Sequence, residues 1–124
     1  MAKETACSVF QGTDRNYVFT ILNVAETAAI NISGWALSWM VKKKRSDADA
    51  SALLTKTTAS AIVISGSFNS DPDENTQIAT VSIEDTDTTS LDPGTRYWEL
   101  KRTDAGFETV LGYGTLRLIR GVHR

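Results

Sequence analysis

Trp35-Ala-Leu-Ser-Trp-Met-Val-Lys42 decides the fold. Taken at every second position, Trp35, Leu37, Trp39 and Val41 make one strongly apolar face, and Ala36, Ser38, Met40 and Lys42 make the other. A period of two is that of a β-strand with one side in a core, not the 3.6 of a helix. Working outward, Tyr17, Phe19 and Ile21 share a face within residues 17–23, and residues 61–65 are a short β-branched run. Ala79, Val81 and Ile83 alternate in residues 78–84. In residues 96–102, Trp98 and Leu100 point one way and Tyr97, Glu99 and Lys101 the other. Residues 115–120 close the series, with Leu116 and Leu118 inward against Arg117. The expected core is therefore Phe19, Trp35, Leu37, Trp39, Val41, Val81, Trp98, Leu100, Leu116 and Leu118. Each tryptophan can bury on the order of 200 Å², worth several kcal/mol before entropy is subtracted. The rival reading, an exposed tryptophan that stacks on sugar, suits Trp35 best because Gly34 bends the chain beside it.

The connections agree with strands. Asp92-Pro-Gly-Thr95 has type II turn chemistry, with Gly94 where positive φ is required. Thr103-Asp-Ala-Gly106 reads as a hairpin loop with Gly106 in the left-handed region. Residues 42–51 and 69–76 are polar loops, and a helical turn packed through Leu91 fits residues 85–91. No segment has the pattern of a long amphipathic helix, and the 16 threonines and 11 serines suit solvent-facing strand positions and turns. About seven short strands at this spacing predict an all-β, antiparallel β-sandwich over residues 15–120. Residues 1–14 are an N-terminal arm or first edge strand, and residues 121–124 a C-terminal tail.

Composition narrows the function. A chain of 124 residues suits one domain, and its 41% hydrophobic residues can build one core without disulfide or metal. Cys7 is the only cysteine and His123 the only histidine, at opposite ends, which argues against structural zinc and against a Cys–His nucleophile. No phosphate-binding loop, nucleophile elbow or metalloprotease motif occurs, and Gly112-Tyr-Gly114 is a lone G-x-G. The start of the chain lacks the apolar run of a secretory signal, and no stretch is long and apolar enough for a transmembrane helix. No catalysis and no cofactor are therefore expected.

The formal net charge is −2. Residues 1–45 hold six basic and three acidic side chains, residues 46–95 one basic and nine acidic, and residues 96–124 six basic and three acidic. Without a large charge of one sign, nucleic-acid or membrane binding is not expected. Segregated charge can serve packing between copies. Asp71, Asp73 and Glu74, or Asp85 and Asp87, offer oxygen ligands for calcium, but neither has EF-hand spacing, and a solvated acidic loop is the plainer reading. Lys42-Lys-Lys-Arg45 reads as a solvated loop or edge protection, with phosphate binding or nuclear import as the alternative.

Ile30-Asn-Ile-Ser-Gly-Trp35, followed by an alternating strand and a polar loop, resembles immunoglobulin-like domains of tailed-bacteriophage structural proteins. Leu91-Asp-Pro-Gly-Thr-Arg-Tyr-Trp-Glu-Leu-Lys-Arg102, the Thr103–Gly106 hairpin and the closing Gly114-Thr-Leu-Arg-Leu118 extend the resemblance. It is nearest to the N-terminal domain of phage upper baseplate proteins and related small virion proteins, and covers roughly residues 16–120. The resemblance implies an immunoglobulin-like sandwich in the virion (baseplate, tail, neck or capsid surface), made in the host cytoplasm. Such a protein docks on other virion proteins and on copies of itself. Val9 and Phe10 in the arm and Ile119 and Val122 in the tail are the expected anchors for a partner. The alternative is a carbohydrate or host-surface binding module, for which Tyr97, Phe107 and Tyr113 are the aromatic platform.

Overall fold

The computed structural model describes residues 3–23 and 25–120. Among the described residues nine strands form two sheets: β1 (Lys3–Glu4), β2 (Cys7–Phe10), β3 (Arg15–Phe19), β4 (Leu37–Lys42), β5 (Leu54–Thr57), β6 (Ile62–Ser65), β7 (Ile78–Ile83), β8 (Gly94–Arg102) and β9 (Thr109–Ile119). The large sheet has the order β9-β8-β4-β5, with β1 and β2 following one another along the free side of β9. The small sheet has the order β3-β7-β6. A helical turn, α1 (Asp85–Thr88), links β7 to β8 across the two sheets, with Leu91 packed against the core behind it.

Alternation builds the core between the sheets. Leu37, Trp39, Val41, Trp98, Leu100, Leu116 and Leu118 from the large sheet meet Tyr17, Ile62, Ala79, Val81 and Ile83 from the small one, all buried. Aromatic pairs join the layers: Tyr17 against Trp39 with ring centroids 5.9 Å apart, and Phe19 against Trp98 at 5.4 Å. Two expected core residues are only partly buried. Phe19 lies at the end of β3, and Trp35 precedes β4 in a turn where Gly34 takes φ +77° and the Trp35 N–H donates to Ile32 O. The side chain of Gln77 pins that turn, accepting from Ile32 N at 3.0 Å and donating to Ser33 Oγ at 2.8 Å.

The sandwich is not wholly antiparallel. β1 and β2 run parallel to β9, pairing Lys3 with Gly112 and Cys7 with Leu116. No hairpin joins these strands, so no local turn signal announces the pairing. Between β1 and β2 the chain dips inward at Thr5, where Trp98 Nε1 donates to Thr5 O at 3.0 Å. Gly114 makes the room: a Cβ there would lie 1.8 Å from Thr5 O. The G-x-G of the sequence is thus a crossing point for the chain and the middle of an unusually long β9. Val9, expected as an anchor awaiting a partner, is instead 2% exposed within the core, because the parallel register turns it inward beside Leu118.

The N-terminal segment is fastened further along. Tyr17 Oη donates to Ser8 O at 2.6 Å, and Gly12 N donates to the fully buried Thr88 of α1 at 2.9 Å. Burial pushes the Tyr17 phenol up to about 12, with the charge of Cys7 adding to the rise against the opposing effect of Arg15. Lys56 of β5 reaches Asp87 of α1 at 2.6 Å, both side chains mostly covered, and so ties the edge of the large sheet to the link between sheets.

Candidate functional site

The outward face of the large sheet gathers most of the chemistry. Alternation sends Ser38, Met40 and Lys42 outward from β4, Tyr97, Glu99 and Lys101 outward from β8, and Tyr113 and Thr115 outward from β9. Register then makes neighbours of Ser38 and Lys101, Met40 and Glu99, and Lys42 and Tyr97. Glu99 in turn faces Tyr113, and Tyr97 faces Thr115. The loop after β4 folds back over this row. Lys42 Nζ donates to Asp47 O at 3.0 Å and to Asp49 Oδ1 at 2.6 Å, and Lys44 N donates to Asp47 Oδ2. The hydrogen bond from Lys42 holds the Asp49 carboxyl below its usual range, helped by the charges of Lys42 and Lys101.

That closure leaves a groove of about 160 Å³ over Ser38, Met40, Tyr97 and Lys101, rimmed by Lys42, Arg45, Asp49 and Glu99. Ser38 forms part of its wall; the residue is 8% exposed and its hydroxyl has no hydrogen-bond partner among the described residues. The basic run Lys42–Arg45 is divided in use. Lys42 and Arg45 turn to the groove, while Lys43 and Lys44 are exposed to solvent.

The expected aromatic platform is not assembled as one surface. Tyr97 and Tyr113 come together, but the Arg45 guanidinium lies over both rings, at 4.8 and 5.3 Å from their centroids. Phe107 belongs to a separate cluster, where Arg102 is sandwiched 4.0 Å from the Trp35 ring and 4.7 Å from that of Phe107. Asp104 accepts from Arg102 Nε at 2.8 Å and from Ala36 N at 3.0 Å, and these bonds, that from Arg102 foremost, depress its pKa. Trp35 is accordingly partly buried, packed against the core with Arg102 over its ring.

The other expected anchors divide. Phe10 is 55% exposed beside a half-buried Ile119, its partner in the β2–β9 register. Val122 and His123 lie outside the described residues. Cys7 packs against the core, and burial raises its thiol pKa, which disfavours the nucleophilic thiolate. Among the described residues no three His, Cys, Asp or Glu side chains come together as a metal site would, and no helix is long and apolar enough to cross a membrane. In the acidic loop, Asp71 Oδ1 accepts from Asp73 N, a local turn bond.

The small sheet presents a second surface that sequence reading missed. Its outward positions are Asn16 and Val18 on β3, Ile78, Thr80 and Ser82 on β7, and Val63 and Ser65 on β6, and none carries a charge. Val18, Thr80 and Val63 form one row across the three strands, with Val18 56% and Val63 60% exposed. Both edges of this sheet, β3 and β6, have no further strand partner among the described residues. The alternation of the strands held the signal, since the positions between the core residues were already uncharged. Which strands lie side by side was not in the pattern.

No model of a known protein family matches the chain, and comparison with curated proteins gives no match.

Proposed function

We propose that this protein is a bacteriophage virion component with an immunoglobulin-like fold, acting by docking the outer face of its small sheet against further copies of itself. The observation that carries the docking is the uncharged row Val18–Thr80–Val63 between two open strand edges. In a chain with 23% charged residues, seven outward positions would on average carry between one and two charges, and here they carry none. Open edges of monomers are ordinarily guarded by charge, and here only Arg15, at the start of β3, is charged in either edge strand.

Strand order supports the immunoglobulin-like part of this reading. In that fold, strands B, E and D are neighbours in one sheet and C, F and G in the other, with C′ beyond C in variable-type domains. Taking β3, β7 and β6 as B, E and D, and β4, β8, β9 and β5 as C, F, G and C′, reproduces each adjacency. Trp39 then occupies the place of the buried tryptophan on strand C. Trp98 stands where the second cysteine of the inter-sheet disulfide would be, and its ring takes over the filling of that space. Two residues before it, Arg96 donates back to Asp92 O at 3.0 Å, much as the tyrosine of the antibody-type corner does.

Size sets how such docking works. Three strands ~4.8 Å apart and five residues at ~3.4 Å give a face of roughly 250 Å², against about 800 Å² per partner in a stable complex. Each contact is weak, and an array of copies makes it effective. Light scattering over a concentration series tests this. The apparent mass should rise with concentration, and the double variant Val18→Glu, Val63→Glu should remain monomeric with an unchanged unfolding midpoint. A wild-type monomer up to millimolar concentration would overturn docking between copies.

A further inference from the structure

We propose that the groove on the outer face of the large sheet binds one ring of an acidic sugar, a carboxylated and polyhydroxylated residue such as a uronic acid. This goes beyond docking between copies and uses the opposite side of the molecule. The first observation is the Ser38 hydroxyl, buried in the groove wall without a partner. Buried hydroxyls in native proteins are nearly always hydrogen-bonded, so a group that enters the groove and meets this one is expected. The second is its neighbour across the strands, Lys101, whose side chain makes no hydrogen bond or ion pair within 4.0 Å among the described residues, although its charge is felt by Asp49. Both residues line the groove, and a hydroxyl and an ammonium together suit one carboxylate.

The rest of the lining selects the remainder of the ligand. Glu99 at the rim accepts from sugar hydroxyls, and Met40 beside it gives the apolar contact that ring C–H groups need. Asp49 and Glu99 on the rim disfavour a dianion such as phosphate, whereas a monoanion with neutral hydroxyls fits a groove of mixed sign. A volume of about 160 Å³ is below the range of drug-sized sites, and takes a single ring. Arg45 closes the faces of Tyr97 and Tyr113, so the sugar is held by its edges and substituents, without stacking on those rings.

The test is an amide chemical-shift titration of the full chain with D-glucuronate, D-glucose and acetate. Glucuronate should give saturable shifts at Ser38, Glu99 and Lys101, with Kd in the ~1–10 mM range. Glucose and acetate should each bind at least about tenfold more weakly, since each lacks half of the recognised chemistry. Lys101→Met should weaken glucuronate about tenfold and Ser38→Ala about fivefold, both with the folded spectrum retained. Shifts that do not saturate, an equal response to acetate, or unchanged affinity in both variants would overturn the site. An oligomer of glucuronate that binds more tightly than the monomer supports the site with a polysaccharide chain as the source. Equal affinity supports it with an isolated or terminal acidic residue.

Discussion

The two outward faces of this sandwich share one core and differ in almost everything else. The large sheet points Lys42, Glu99, Lys101 and Arg117 outward among two tyrosines, and a charged loop folds back over part of this row. The small sheet shows seven outward side chains and no ionisable group. Inward, both contribute the same kind of residue, and Tyr17–Trp39 and Phe19–Trp98 stitch them together. The inward half of a strand's alternation is thus set by the need to fold. The outward half is free to vary, and a surface that must stay in water is normally given charge. Where charge is withheld over an entire face, the docking proposed above has the surface it requires.

The comparison is broken most severely by removing what both faces rest on. Trp98→Ala deletes a buried ring and the donor to Thr5 O, and should cost about 3–5 kcal/mol in urea unfolding, enough to abolish both faces together. A smaller change separates them. Gly114→Ala places a methyl group on Thr5 O and should cost about 1–3 kcal/mol. Hydrogen exchange should then report loss of protection in residues 7–10 before any in β3, β6 or β7.

Next comes the tie between β5 and α1. The Asp87 carboxyl feels burial pushing its pKa up, but the Lys56 ammonium and the Glu84 N–H outweigh this and hold it below the usual carboxylate range. With the folded-state value depressed, the stabilisation is present at neutral pH and is lost as pH falls through the carboxylate range. Asp87→Asn should therefore lower stability by about 1 kcal/mol at pH 7 and by much less at pH 3, as measured by denaturant midpoints. The smallest effect on stability, within about 0.5 kcal/mol, is expected for Val18→Glu with Val63→Glu. That pair should nevertheless eliminate self-association, whereas Glu99→Gln on the opposite sheet should leave it unchanged. Equal sensitivity of the two faces would remove the contrast between them.

Much of the fold was legible because alternation is a local signal. The central strand at Trp39, the strands at Val81 and Trp98, the turn glycines Gly34 and Gly106 and the helical turn before Leu91 all follow from residues a few positions apart. β5 escaped notice because Leu54-Thr-Lys-Thr57 is polar and short, as a charged edge strand is. β1 and β2 escaped as parallel strands because their partner lies at the other end of the chain. The groove was half legible: Ser38, Met40 and Lys42 fell on one outward row and Tyr97, Glu99 and Lys101 on another. Only the pairing of β4 with β8 makes those rows one surface, and only the backward fold of the next loop brings Arg45 over the tyrosines. Phe107 is exposed as its sequence context suggested, at 61%, but nothing in the sequence signals that Arg102 lies against its ring and against that of Trp35.

The parallel seam between β2 and β9 also sets a timetable. Cys7 leaves the ribosome early, yet its strand partner is Leu116. At ~5–20 residues per second that interval lasts on the order of 5–20 s. Throughout it Val9 and its neighbours have no sheet to join, so the newborn chain carries an uncovered apolar segment until β9 has emerged. Closure of the sandwich therefore waits for β9, and refolding from denaturant should share its long-range, slow character.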